Sequence, residues 1–202
     1  NSAYVELSFF TVDADAVASV LSAVSRVASG VVKLDIREVA IGPAAPVVEQ
    51  TMVKHTKSLT ELTMVDTGLD LLLVHIVGGI MEGAVLKSLC LDQARIQYDA
   101  MQVEEDIDHE GAEEVPASSG DVLVCLLNAL CRYDINLDHL SLSSNMINID
   151  RPLMQLLLET GVRKLDLHDN GMTNSAIYPL AAMSKTERQD LYIDFNDSIS
   201  RG

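Results

Sequence analysis

A pair of apolar residues flanking one other residue recurs along this chain at nearly constant spacing. The pairs are Leu7/Phe9, Leu34/Ile36, Leu62/Met64, Leu89/Leu91, Leu140/Leu142, Leu165/Leu167 and Leu191/Ile193. Successive first members are 27, 28, 27, 51, 25 and 26 residues apart. Self-similarity at a period of about 20–50 residues is typical of an architecture built from stacked, repeated units.

Each pair lies in a short stretch that alternates as a half-buried strand does. The fullest copy is LDHLSLSSNMINI at 137–149, where leucines alternate with polar residues. Helical stretches lie between the pairs. One is DVLVCLLNALCRY (121–133), and another is RPLMQLLLETG, with Asp150 as its N-cap and Gly161 as its stop. The sequence therefore predicts alternating strands and helices around a parallel sheet.

The pattern L-x-x-L-x-L-x-x-N-x-L at 137–147 resembles the leucine-rich repeat family, in its ribonuclease-inhibitor-like class. The resemblance covers almost the whole chain and is strongest at 137–147 and 162–172. It implies an α/β solenoid of about seven repeats, shaped as a horseshoe, with a parallel sheet on the concave side and α-helices on the convex side. Residues 1–202 would form one domain, a fragment of a longer protein. The alternative is an ordinary α/β domain whose strand–helix units happen to be similar in length.

An asparagine that the family uses to tie neighbouring turns together is present in only part of the chain. It stands as Asn145, Asn170 and Asn196, whereas the first four units carry Val12, Val39, Thr67 and Ala94 in its place. The resemblance therefore implies that Asn145 is a structural ladder residue. It also implies a less regular N-terminal half.

The spacing of 51 residues contains no additional pair at its midpoint. The segment 97–120 (QYDAMQVEEDIDHEGAEEVPASSG) instead carries eight acidic residues and no lysine or arginine. Such a composition buries too little apolar surface to order itself. We interpret it as an acidic loop inserted before a helix that begins near Asp121. It is either a solvated insertion or an arm that engages a basic partner, and it lacks the D-x-[DN]-x-[DN]-G pattern of a calcium loop.

The net charge of −16 is concentrated in two places. The residues just before, between and after the paired apolar positions of each unit hold ten acids and three bases, a net of −7, and the insertion adds −8. Nucleic acid would require the opposite sign, so the expected partner is a basic protein or peptide. The expected binding residues on the concave face are Asp35, Arg37, Glu61, Asp92, His139, Asp166, His168, Tyr192, Asp194 and Phe195. The plainer alternative is that solvent-facing strand residues are simply polar.

Motifs of catalysis are missing from the sequence. We find no nucleotide-binding, nucleophile-elbow or zinc-protease pattern, and expect no enzyme activity, cofactor, metal or small-molecule substrate. His139 and His168 could join Ser141 and Asp166 in a Ser/His/Asp arrangement or a weak metal site, but an open sheet face rarely provides an oxyanion hole.

Two further functions stay open at this point. A GTPase-activating protein of the Ran-activating type looks similar in repeat class and acidity. It needs a catalytic arginine, for which Arg37 and Arg95 are the candidates. The second function that stays open is that of a structural or substrate-recognition segment of a larger assembly.

Cysteine usage and hydropathy give the expected compartment. Cys90, Cys125 and Cys131 lack the paired spacing of a disulfide framework or a zinc site. The longest apolar run, 69–81, is interrupted by Asp70 and His75 and is too short to span a bilayer. We expect a cytoplasmic protein with reduced thiols and no membrane contact.

Overall fold

A parallel sheet organises the computed structural model, which describes residues 4–68, 76–77, 84–96, 119–183 and 191–195. The sheet contains, in spatial order, β1 (Tyr4–Phe10), β2 (Gly30–Arg37), β3 (Glu61–Val65), β4 (Ser88–Asp92), β5 (His139–Ser141), β7 (Lys164–Asp166) and β9 (Tyr192–Asp194). Strands β6 (Asn148–Ile149) and β8 (Gly171–Met172) form a second, two-stranded parallel sheet. The fold is α/β with a mostly parallel sheet that does not close into a barrel.

Five helices are described between the strands. They are α1 (Ala14–Val27), α2 (Ala45–His55), α3 (Ser119–Arg132), α4 (Arg151–Glu159) and α5 (Ile177–Ala182), with 3₁₀ turns at Gly42–Ala44 and Asn174–Ala176. Asp150 caps α4 by accepting a hydrogen bond from the Leu153 amide, and Gly161 adopts φ +68° just beyond its end, as the sequence predicted.

The register of the main sheet confirms the repeat for six of the seven units. Leu7 lies opposite Leu34, and the same alignment continues through Leu62, Leu89, Leu140 and Leu165. Five of these six leucines are fully buried, and Leu7, on the edge strand β1, is half-buried. The N-terminal half keeps this register, with a single irregularity between Val5 and Glu6.

The predicted alignment of the pair Leu191/Ile193 with the other units is wrong by two residues. Leu165 lies opposite Ile193, so Ile193 occupies the place expected for Leu191. Apolar residues stand at 191, 193 and 195, and this alternation fits either register equally well. A shift of two residues keeps every side chain on the same face of the sheet.

Strands β4 and β5 are neighbours although their aligned leucines are 51 residues apart. No strand of the main sheet therefore lies between them, as expected if the chain carries an insertion there. The helix predicted to begin near Asp121 begins at Ser119. Residues 97–118 lie outside the described residues, so the loop itself stays a prediction.

Each of six strands is followed by one residue in the left-handed region of φ. These residues stand four positions after the aligned leucine: Thr11, Glu38, Asp66, Gln93, Ser144 and Asp169, with φ between 50° and 56°. A non-glycine residue there is costly, by about 1 kcal/mol. In the first five, the amide donates a hydrogen bond to a carbonyl of the following unit, for example from Thr11 to Arg37 at 3.1 Å. These bonds offset the strain and turn the chain out of the sheet.

Asn145 forms the ladder that the family resemblance implied. Its amide group donates to the carbonyls of Leu91 and Leu142, each at 2.8 Å, and its oxygen accepts from the amides of Ala94 and Ile96. Asn170 bonds the Leu142 carbonyl in the same way. Asn196 lies outside the described residues. The two buried asparagines thus satisfy backbone groups of two successive units at once.

Thr67 occupies the ladder position of β3 but makes no equivalent bond. It is fully buried, and its hydroxyl oxygen has no hydrogen-bond partner among the described residues. A buried hydroxyl of this kind is unfavourable, because folding removes its hydrogen bonds to water and supplies no replacement. We expect Thr67→Val to leave the free energy of unfolding unchanged or raise it by about 1 kcal/mol.

Asn145→Ala is the matched comparison for that experiment. It removes the side-chain hydrogen bonds of the Ala94 and Ile96 amides and of the Leu91 carbonyl, whereas the Leu142 carbonyl still accepts from Asn170. We therefore expect the free energy of unfolding, measured by urea denaturation, to fall by about 3 kcal/mol. A loss of comparable size for Thr67→Val would show that the threonine hydroxyl is bonded after all.

Deletion of 101–118 should leave the sheet intact. Asn145 and Asp92 link β4 directly to β5, and neither needs the inserted segment for its bonds. We expect the shortened chain to melt cooperatively, within a few degrees of the parent, when followed by circular dichroism. Loss of a cooperative transition would mean that the segment is part of the folded structure.

Candidate functional site

The strand side chains that alternate with the buried leucines form one face of the main sheet, which we call the open face. Its members in the strands are Tyr4, Glu6, Ser8, Phe10, Lys33, Asp35, Arg37, Glu61, Thr63, Val65, Ser88, Cys90, Asp92, His139, Ser141, Lys164, Asp166, Tyr192 and Asp194. Most are partly or fully exposed. Successive side chains of a strand point to opposite sides, so the apolar set fills the core while this polar set stays accessible.

Asp35 and Arg37 neutralise each other on β2. The guanidinium contacts the carboxylate through two nitrogens, with Nε–Oδ1 at 2.8 Å and Nη2–Oδ2 at 3.3 Å. Asp35 is only 6% exposed, and the hydrogen bond to it raises the pKa of Arg37. Arg37 also lies 5.8 Å from the Phe10 ring centroid. Both residues were predicted to bind a partner, but each is held within the protein. Arg37 is thereby poorly placed as a catalytic arginine.

Glu61 is also paired. Its carboxylate lies 3.1 Å from Lys33 Nζ on the neighbouring strand, and the hydrogen bond between them raises the pKa of Lys33. Both groups are substantially exposed, so the pair contributes little to stability. It does reduce the local negative charge that a basic partner would meet.

Asp92 is the centre of a hydrogen-bonded cluster between β4 and β5. Its carboxylate accepts from the Ser141 hydroxyl at 2.5 Å, the Ser143 amide at 2.9 Å and the Cys90 thiol at 3.1 Å. Burial, together with Asp92, raises the pKa of the Cys90 thiol to about 12, so the sulfur stays protonated and is a poor nucleophile. Because Ser141 bonds Asp92, it does not form the Ser–His contact of a catalytic triad. Asp92 holds the sheet together where the insertion interrupts the sequence.

His139 lies between Ser88 and Lys164 on the open face. Its Nδ1 is 3.5 Å from the Ser88 hydroxyl, and its Nε2 is buried with no hydrogen-bond partner. Desolvation lowers the pKa of His139, and the charge of Lys164 lowers it further. The neutral imidazole is therefore the form that the fold favours.

The remaining predicted residues gather at the β7–β9 end of the open face. Asp166 lies opposite Asp194 across the two strands, next to Tyr192, which is 58% exposed. Asp166 also accepts a hydrogen bond from the His168 amide at 3.0 Å, and Asp169 follows in the exposed left-handed turn. We call Asp166, Asp169, Tyr192 and Asp194 the acidic end patch. Among the described residues, none of its three carboxylates forms an ion pair.

Phe195 falls on the other side of the sheet. The register aligns it with Leu167, a buried core residue, so it alternates with Tyr192 and Asp194 onto the core face. It is still 38% exposed, since it follows the last strand of the sheet order. The prediction that it anchors a partner on the concave face does not fit this position.

Sequence reasoning missed how the charges pair. Asp35, Glu61 and Asp92 were counted as open acids, but each has an internal partner. Only the i, i+2 spacing of Asp35 and Arg37 on one strand signalled such a pair in advance, because those two positions share a face.

Within the described ranges, no helix has the length and apolarity needed to cross a bilayer. The same ranges hold no cluster of three or more His, Cys, Asp or Glu residues that could ligate a metal ion. Cys90, Cys125 and Cys131 are free thiols.

Comparisons of the chain with protein-family models, with curated proteins and with solved structures each found no match.

Two desolvated histidines predict a pH dependence of stability. Desolvation lowers the folded-state pKa of both His139 and His55 below the ordinary value of 6.5. The unfolded chain therefore takes up protons first as the pH falls. Stability is complete above about pH 6.5 and decreases below it.

His139→Gln should reduce this dependence. In urea titrations at about pH 7.5 and 5.5, we expect the variant to lose less stability on acidification than the parent chain. His55→Gln removes the other desolvated histidine and should reduce the acid loss in the same direction. An equal acid loss in all three proteins would contradict the role of His139.

Proposed function

We propose that this chain is a leucine-rich-repeat solenoid that acts as a protein-interaction scaffold and binds a basic protein or peptide at the acidic end patch. The repeat supports the solenoid part of the proposal. Aligned leucines, a left-handed turn after each of six strands and the asparagine ladder give neighbouring units the same internal contacts. Stacked units of this kind offer extended surfaces for binding.

The proposed binding of a basic partner rests on how unevenly the charges of the open face are paired. At the β2–β3 end, Lys33 and Arg37 each neutralise an acid of the open face. At the β7–β9 end, Asp166, Asp169 and Asp194 have no ion pair among the described residues, and Lys164 lies opposite Tyr192. Acids without an internal partner keep their full attraction for a cation.

Tyr192 adds a contact of a different kind. Its ring is exposed beside Asp194 and opposite Lys164. Aromatic rings stack on guanidinium groups and supply contact area at low entropic cost. An arginine-containing segment fits this combination of carboxylates and an aromatic ring better than an acidic or purely apolar one.

A fluorescent arginine-rich peptide tests the proposal by anisotropy. The triple variant Asp166→Asn, Asp169→Asn, Asp194→Asn should bind it about tenfold more weakly than the parent chain. The matched control is Asp15→Asn, Asp134→Asn, Glu159→Gln, which removes the same charge from exposed residues off the open face. It should bind nearly as the parent does.

Salt provides the second readout. We expect the affinity of the parent chain to fall steeply between low and high ionic strength, and that of the end-patch triple variant to fall less. Equal weakening by both triple variants would assign binding to overall charge instead of the patch. An affinity of the parent chain that does not change with salt concentration would contradict binding of the peptide by the acidic end patch.

A further inference from the structure

Strand β1 is the first strand of the main sheet order, so one of its edges pairs with no described strand. At seven residues it is one of the two longest strands of the sheet. Its core-side Val5 and Leu7 are only half-buried, whereas the aligned Leu34 is fully buried. On the open face, Tyr4 is 65% exposed and Phe10 is 55% exposed. A long apolar edge of this kind is a template for pairing with another strand.

The free backbone groups of this edge can be assigned from the interior strands. There, the residue just before the aligned leucine donates its amide toward the preceding unit, as Lys164 does to Asp138 and Tyr192 to Arg163. The equivalent residue of β1 is Glu6. Because orientation alternates along a strand, Tyr4, Glu6, Ser8 and Phe10 present their N–H and C=O groups at the free edge.

We propose that a second copy of this chain occupies the edge, with the two β1 strands pairing antiparallel about a two-fold axis at Leu7. The sequence YVELSFF is chemically symmetric about Leu7. The axis places Tyr4 opposite Phe10 and Glu6 opposite Ser8 of the second copy. These are the residues with outward backbone groups, so they form the hydrogen-bonded pairs of an antiparallel ladder.

The core side is equally self-complementary. Leu7 meets Leu7 of the second copy, and Val5 meets Phe9, at positions where the Cα atoms approach most closely, to about 4.5 Å. Each half-buried apolar residue of the edge is thereby covered by another. Moving the axis by one residue to Glu6 would instead place two carboxylates opposite each other, which is destabilising.

Helix α1 supplies a second surface at the same end of the molecule. It packs on the core with Val17 and Leu21, and its Ser25 side chain contacts Thr51 of α2. Val20, Ala23 and Val27, at helical spacing, are exposed on the side away from α2, Val27 to 82%. The two-fold axis brings the α1 helices of both copies to the same side of the joined sheet, where these apolar stripes can pack antiparallel.

Charge changes at Ser8 test both the dimer and its register. Sedimentation equilibrium of the full chain, from about 1 to about 500 µM, should show a monomer–dimer equilibrium. In the dimer, Ser8→Glu places the new carboxylate of each copy opposite Glu6 of the other copy. This repulsion occurs at two symmetric positions and should raise the dissociation constant about threefold to tenfold. Ser8→Lys should lower it by a similar factor. Residue 8 is exposed on an edge strand, so thermal melting should show that both variants fold as the parent does.

The double variant Glu6→Lys, Ser8→Glu restores opposite charges across the axis and should dimerise at least as well as the parent chain. A parent chain that is monomeric throughout the range would overturn the proposal. A dimer whose dissociation constant responds equally to Ser8→Glu and Ser8→Lys would also overturn it, because association would then use another surface.

Discussion

The residue in the left-handed region after each strand is the constraint on which the rest of the structure depends. At Thr11, Glu38, Asp66, Gln93, Ser144 and Asp169 the backbone leaves the sheet in the same conformation, although none of these residues is glycine. The strained turn persists because the following unit accepts a hydrogen bond from its amide in five of the six cases. In those five units the turn is therefore stabilised by the neighbouring unit. Local conformation and stacking stabilise each other.

The same dependence between neighbours joins β4 to β5, although about fifty residues separate their aligned positions in sequence. Asn145 reaches across from the β5 unit to the backbone of the β4 unit, and Asp92 reaches the other way to Ser141 and Ser143. These bonds join residues that are about fifty positions apart in sequence but adjacent in the sheet.

Electrostatics on the open face follows from which strands are neighbours. Each acid of the open face lies beside the residue at the aligned position of the neighbouring strand. Glu61 therefore lies beside Lys33, whereas Asp166 lies beside Asp194. The face is thus divided into an end where opposite charges cancel and an end where like charges accumulate. The edge strand β1 differs from both, since its outward groups are neutral or apolar apart from Glu6.

The sequence by itself determined the period of the repeat, the register of six strands, the faces of their side chains and the cap of α4 at Asp150. Each of these depends on apolar periodicity or on a short-range hydrogen bond, which residue types reveal directly. It determined the ladder role of Asn145 through the family resemblance.

Only the tertiary structure decided the register of β9, because apolar residues at 191, 193 and 195 fit two alignments. It also decided the left-handed turns, which no glycine marks, and the internal pairing of Asp35, Glu61 and Asp92. These features depend on groups contributed by neighbouring strands, whose distances and alignment arise only when the chain is folded.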